Sequence, residues 1–177
     1  AAGRPGTSKL QVAEESIVST ELVTFRGKKF QDVRTARNRA GKEGIRAVWT
    51  TWNDAGTMIR SQIRALSEEW VSDKSLPEMG FTLGNLSTLH DPEVRLMLAL
   101  DEHDNLHGVT SWLPVYENGA LAGWMLDFMR RDPAGFRPVV EFLIAETLVQ
   151  ANEDGLGWIS LSGAPLAHEA SGEENPL

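Results

Sequence analysis

Residues 94–129 read VRLMLALDEHDNLHGVTSWLPVYENGALAGWMLDFM. Residues 94–100 are nearly all apolar, the pattern of a strand covered on both faces. His103-Asp104-Asn105 supplies a turn. Residues 106–116 make a second strand, with Pro114 marking a bulge or an edge. Glu117-Asn118-Gly119 carries the Asn-Gly hairpin signal. Residues 120–129 make a third strand. Three strands joined by two short polar turns form an antiparallel meander. Strict alternation along the third strand places Leu121, Gly123, Met125, Asp127 and Met129 on one face.

Outward from the meander, residues 130–135 form a polar turn and 136–152 a helix with Val140, Leu143 or Ile144, and Thr147 facing inward. Residues 158–161 read as a further strand, broken by Ser162-Gly163-Ala164-Pro165. Upstream, 16–25 is β-branched and apolar enough for a strand. Residues 28–42 follow as a helix, with Phe30, Val33, Ala36 and Ala40 on one side and Lys28, Arg39 and Lys42 on the other. Arg37 falls inside the apolar sector, where it snorkels or meets a ligand. Gly44 suits the helix stop. Residues 45–50 make a short strand, and Asn53 or Asp54 caps a helix whose stripe is Ile59, Ile63, Leu66 and Trp70, ending near Lys74. Residues 1–12 read as a flexible lead-in, 13–167 as one domain and 168–177 as a flexible acidic tail. The element order looks like the acetyltransferase-like fold of the GCN5-related type. That is an α/β fold with a mixed, mainly antiparallel sheet flanked by helices, here expected to be C-terminally truncated.

The chain carries no cysteine, which removes disulfides, thiolate zinc sites and a cysteine nucleophile. No apolar run reaches the roughly 20 residues a membrane-spanning helix needs, and no signal peptide opens the sequence. The net charge of −8 argues against a general nucleic-acid binder, yet the charge is polarised. Between Arg26 and Arg46 lie eight basic residues against Asp32 and Glu43, a surplus of six positive charges. One face of the 28–42 helix can therefore attract a polyanion or an anionic lipid surface, or be a solvated basic face.

Asp127 is the residue with the most chemical content, because a carboxylate among apolar neighbours requires a partner or a solvated cleft. Arg130, Arg131 and Arg137 bracket the start of the next helix, where anions are favoured. The intervening loop lacks the Gly-rich pattern with which coenzyme-A-dependent acetyltransferases cradle a pyrophosphate. His103 and His107 flank a turn and are expected to be exposed, and no metal-ligand spacing is present. Ser160 and Ser162 alternate with Ile159 and Leu161 outside any nucleophile-elbow motif. Trp112 and Trp124, on paired strands, read as packing.

Three blocks, GKKFQDVRTARNRAGKEGI (27–45), LDFMRRDPAGFRPVVEFLI (126–144) and ISLSGAPLA (159–167), together with AEESIV (13–18), resemble the catalytic domain of phosphatidylglycerol lysyltransferases, the lysylphosphatidylglycerol synthetases. The resemblance implies transfer of a lysyl or alanyl group from aminoacyl-tRNA to phosphatidylglycerol, with resistance to cationic antimicrobial peptides as its consequence. No cofactor and no metal are expected. The resemblance implies work at the cytoplasmic face of the membrane, beside an adjoining acetyltransferase-like half and a transmembrane flippase. On this reading Asp127 and Arg130 are catalytic, and Arg131, Ser160, Ser162 and Gly163 bind substrate. Lys28, Lys29, Arg34, Arg39 and Lys42 contact tRNA or lipid. The family's aromatic- and Lys-rich block after APLA is absent, and Arg37 stands where an apolar residue is expected. Two other readings stay open: a coenzyme-A-dependent N-acetyltransferase, and a non-catalytic module that binds tRNA or anionic membrane.

Overall fold

The computed structural model describes residues 16–72 and 86–161. Six strands form one sheet in the order β1-β6-β5-β4-β3-β2. They are β1 (Ile17–Ser19), β2 (Arg46–Thr50), β3 (Arg95–Leu100), β4 (Leu106–Glu117), β5 (Ala120–Arg131) and β6 (Trp158–Ser160). Every neighbouring pair is antiparallel except β5 with β6. The helices are α1 (Gln31–Glu43), the single turn α2 (Trp52–Ala55), α3 (Thr57–Ser72) and α4 (Val139–Glu153).

The meander forms as its pattern dictates. Leu96 to Leu100 are all buried, as expected of a strand covered on both faces. Asn118 and Gly119 both take positive φ, 53° and 80°, in the two-residue turn joining the Glu117↔Ala120 pair. Pro114 lies two residues beyond the last β3 partner, at Trp112, so its missing N–H leaves β3 unaffected.

The sheet is a septum between two cores. On one face Ile59, Ile63 and Leu66 of α3 pack on Leu96, Leu98, Val109 and Phe128. On the other face Ile144, Ala145 and Leu148 of α4 pack on Trp112, Trp124, Leu126 and Ile159. Ala36 and Ala40 of α1 join Val139, Phe142 and Leu143 of α4 over Met97 and Ala99. Helix α4 is apolar nearly all round because sheet and α1 both cover it.

Several expectations are corrected. The strand expected over 16–25 is only three residues long. Ser19 Oγ accepts the N–H of Glu21, and Thr20 donates its hydroxyl to Leu156 O at 2.8 Å, so the chain leaves the sheet as a 3₁₀ turn. Neither Asn53 nor Asp54 is the cap of the next helix. Thr51 Oγ1 accepts the Asp54 N–H and caps α2, and Gly56 at φ 92° separates α2 from α3. The helix expected from 136 starts at Val139, because a residue before proline, here Arg137 before Pro138, is pushed out of helical geometry. Gly44 ends α1 in the left-handed conformation, as expected. The side chain of Trp70 and residue Lys74 lie outside the described residues.

One glycine sets the spacing of the parallel pair. Gly123 faces Trp158, and a Cβ there would lie 2.6 Å from the Trp158 carbonyl oxygen. Gly123→Ala is expected to destabilise the fold by about 1–3 kcal/mol through the forced separation of β5 from β6. Urea denaturation followed by circular dichroism measures it, and an unchanged midpoint would mean that the strands part at no cost.

Candidate active site: the bulge in β5 and the loop into α4

The strand β5 is paired along its whole length with β4, but the register slips between Ser111 and Trp112. Ser111 faces Phe128 and Trp112 faces Leu126, so Asp127 is the extra residue of a bulge. The bulge corrects the sequence reading. Leu126 belongs to the core under α4 and Phe128 to the core under α3, although the two are only two residues apart. Strict alternation from Leu121 to Met129 therefore fails at Asp127, and the shared face expected for these residues does not exist. A second slip at Val115/Tyr116 does the same near the start of the strand.

Asp127 is half-buried, and its Oδ2 accepts the hydroxyl of Thr88 at 3.3 Å. Thr88 sits in a 3₁₀ turn, Leu86–His90, pinned by the fully buried Leu89 and by His90 stacked 4.7 Å from the Trp52 ring. Nothing in the sequence pattern singles out Thr88, which lies 39 residues before its partner. Arg130 is 9% exposed; its guanidinium lies 4.4 Å above the Phe128 ring, and its Nη1 donates to Met129 O. Burial lowers its pKa from the usual guanidinium value. Arg131 ends the strand and is exposed.

Along β6, Ser160 pairs with Met125, two residues before Asp127, and is buried. Ser162 and Gly163 lie outside the described residues. The expectation that His107 is exposed is corrected as well: its ring is wedged between Asp101 and the β5–α4 loop, whereas His103 is exposed. Beside this loop opens a cleft of about 400 Å³ whose walls include Arg39, Glu43, Asp101, Phe136 and Arg137.

The basic stretch is divided by the fold. Arg34 donates through Nη1 to the carbonyls of Phe25 and Gly27, at 2.6 and 2.8 Å, and so clamps the chain entering α1. Arg37 pairs with Glu146 of α4 at 2.7 Å and lies 5.3 Å from the Phe25 ring, which explains a cation in the apolar sector. Arg46 pairs with Asp104. Arg39 is paired with Glu43 one helical turn away and remains exposed, as do Lys28, Lys29 and Lys42. The outward basic face is thus smaller than the sequence count.

An antiparallel meander, a helix returning across it, and a parallel strand on the far side of the bulged strand define an acetyltransferase-like fold of the GCN5-related type. The family described as phosphatidylglycerol lysyltransferase, C-terminal, matches residues 2–177, and the chain belongs to it. An uncharacterised protein of Corynebacterium glutamicum is 58% identical over 92% of this chain. The lysylphosphatidylglycerol biosynthesis bifunctional protein LysX of Nocardia farcinica is 27% identical over 91% of it. The chain spans 20% of the first relative's length and 14% of the second's. The structure of L-PGS from Bacillus licheniformis superposes with a TM-score of 0.67 at 20% identity, covering 82% of this chain and 43% of that one. No helix among the described residues is long and apolar enough to cross a membrane.

Proposed function

We propose that this chain is the catalytic acyl-transfer domain of an enzyme that moves an aminoacyl group, lysyl or alanyl, from aminoacyl-tRNA to a glycerol hydroxyl of phosphatidylglycerol. The observation that carries this reading is Asp127, a half-buried carboxylate set on a strand bulge three residues before the buried Arg130, in a chain of this family. Asp127 receives the ammonium of the aminoacyl group. Arg130 holds that carboxylate or a phosphate of the acceptor lipid or the tRNA, and Arg131, Ser160, Ser162 and Gly163 complete the substrate-binding set. The ester of aminoacyl-tRNA is already activated. The lipid hydroxyl attacks its carbonyl carbon, the new C–O bond forms and the bond to the ribose oxygen breaks. The hydroxyl's proton ends on the released ribose hydroxyl. Positioning is the main demand, and no side-chain nucleophile is required. The product gains one positive charge with an alanyl group and two with a lysyl group, which neutralises or reverses the lipid's charge and would weaken attraction between the membrane and cationic antimicrobial peptides. An adjoining acetyltransferase-like half and a transmembrane flippase complete the proposed protein, with this domain at the cytoplasmic face, where charged tRNA is found.

Transfer of labelled lysine or alanine from charged tRNA into phosphatidylglycerol vesicles, by the longer protein that holds this domain, tests the proposal. Label should enter the lipid and leave it on mild alkaline treatment, as an ester does. Acylation from acetyl-coenzyme A alone, or no transfer from either charged tRNA, would overturn it. The exposed basic face should supply the approach of the polyanion. Reversing Lys28, Arg39 and Lys42 to Glu together should weaken binding of tRNA or anionic vesicles by at least about tenfold near 0.1 M salt, and wild-type binding should fall steeply as salt rises. Equal binding by the triple variant would leave this face a solvated one.

A further inference from the structure

One side chain joins the turn between β3 and β4 to the loop between β5 and α4. His107, the second residue of β4, accepts the Phe136 N–H on Nδ1 at 2.9 Å. An amide can only donate, so Nδ1 bears no proton and the neutral ring carries its proton on Nε2. That nitrogen lies 3.0 Å from Asp101 Oδ2. Asp101 is itself fixed, accepting the backbone N–H groups of His103 and Asn105 and the side-chain amide of Asn105. The His107 contact first, and these amides after it, hold the Asp101 carboxyl well below the usual carboxylate range. The main chain adds another tie, Asp132 N–H to His107 O at 2.9 Å. Gly135 permits the approach, since a Cβ there would stand 2.8 Å from Nδ1.

Both ring nitrogens are engaged, so His107 has neither a free lone pair nor a free proton for a substrate. We infer that His107 is a positioning residue: through the Phe136 amide it holds the loop over 132–138 on its course from the end of β5 into α4. Phe136 is 4% exposed, meets Phe142 of α4 edge-on at 6.2 Å and lies under the Arg39 guanidinium. Holding Phe136 therefore fixes the entry of α4 and the place of Arg137 beside the cleft. The part of this inference that concerns transfer rests on the proposed function; the part that concerns the loop does not.

Two amide substitutions separate the two ring contacts. His107→Asn sets an oxygen where Nδ1 stood, keeping the Phe136 acceptor and giving up Asp101. His107→Gln reaches Asp101 and gives up Phe136. Hydrogen exchange at the Phe136 amide is read by NMR on this chain, and transfer by the longer protein is read as KM and kcat separately. The Gln variant should exchange Phe136 on the order of tenfold faster and raise KM more than it lowers kcat. The Asn variant should stay near wild type on both. Should the Gln variant fail to fold, Asp101→Asn takes its place as the second variant, with Phe136 exchange expected near wild type. Asn as impaired as Gln, unchanged exchange in Gln, or fast Phe136 exchange in Asp101→Asn would each overturn the inference. A wild type that transfers nothing would remove the proposed function, while the exchange data would still decide the role of His107.

Discussion

Asp127→Asn is expected to lower aminoacyl transfer on the order of 10²-fold while shifting the melting temperature by no more than about 2 °C. The two effects separate because the substitution keeps the shape and an acceptor for the Thr88 hydroxyl but removes the charge. Two powers of ten correspond to about 2.7 kcal/mol, within reach of a lost charge-assisted contact to an ammonium in a half-buried site. The half-buried setting also explains why stability should hold, since Asn relieves the desolvation of a carboxylate. Transfer of label into lipid and a thermal melt, run on the same preparation, give both numbers. Near-normal transfer would take Asp127 out of the site. Transfer and fold lost together would make it a structural partner of Thr88.

Arg130→Lys should cost at least about tenfold in transfer, an effect out of proportion to a change that preserves charge. The guanidinium lies 4.4 Å from the centre of the Phe128 ring and donates to Met129 O, and a lysine ammonium cannot stack on the ring and hold a phosphate or carboxylate with a fork at once. Lysine is also more strongly hydrated, and the site is 9% exposed, so its charge is harder to keep buried. The loss should appear in transfer by the Lys variant and persist in Arg130→Met, which retains packing without charge. A Lys variant that transfers like wild type, or a Met variant that does so, would reduce Arg130 to a packing residue.

Much of the fold is legible because it is local. The alternating runs and Asn118-Gly119 specify the meander, and Val33, Ala36 and Ala40 of α1 meet the core as the wheel expects, together with Phe30, although residues 28–30 are a 3₁₀ turn and α1 itself starts at Gln31. What escapes is set by contacts across the chain. Arg37 finds Glu146, 109 residues away, and that ion pair, which no helical wheel can show, holds a cation in the apolar sector. The bulge at Asp127 is invisible to a period-2 reading, because an inserted residue changes the face of everything after it and composition does not mark it. Ser19, Thr51 and Pro138 act through side-chain hydrogen bonds or ring sterics that shift an element boundary by a few residues. His107 reads as a turn residue in the sequence because its two partners, Asp101 and the Phe136 amide, are brought to it by different strands.

In the proposed reaction the Asp127 carboxylate recognises the ammonium of the aminoacyl group. The measurement that tests it most directly compares two donors, alanyl-tRNA and the same tRNA with its alanyl amine acetylated, in the wild type and in Asp127→Asn. The wild type should favour the free amine by on the order of 10²-fold, and the Asn variant should transfer both poorly and nearly equally. The same preference for the free amine in both proteins would contradict it.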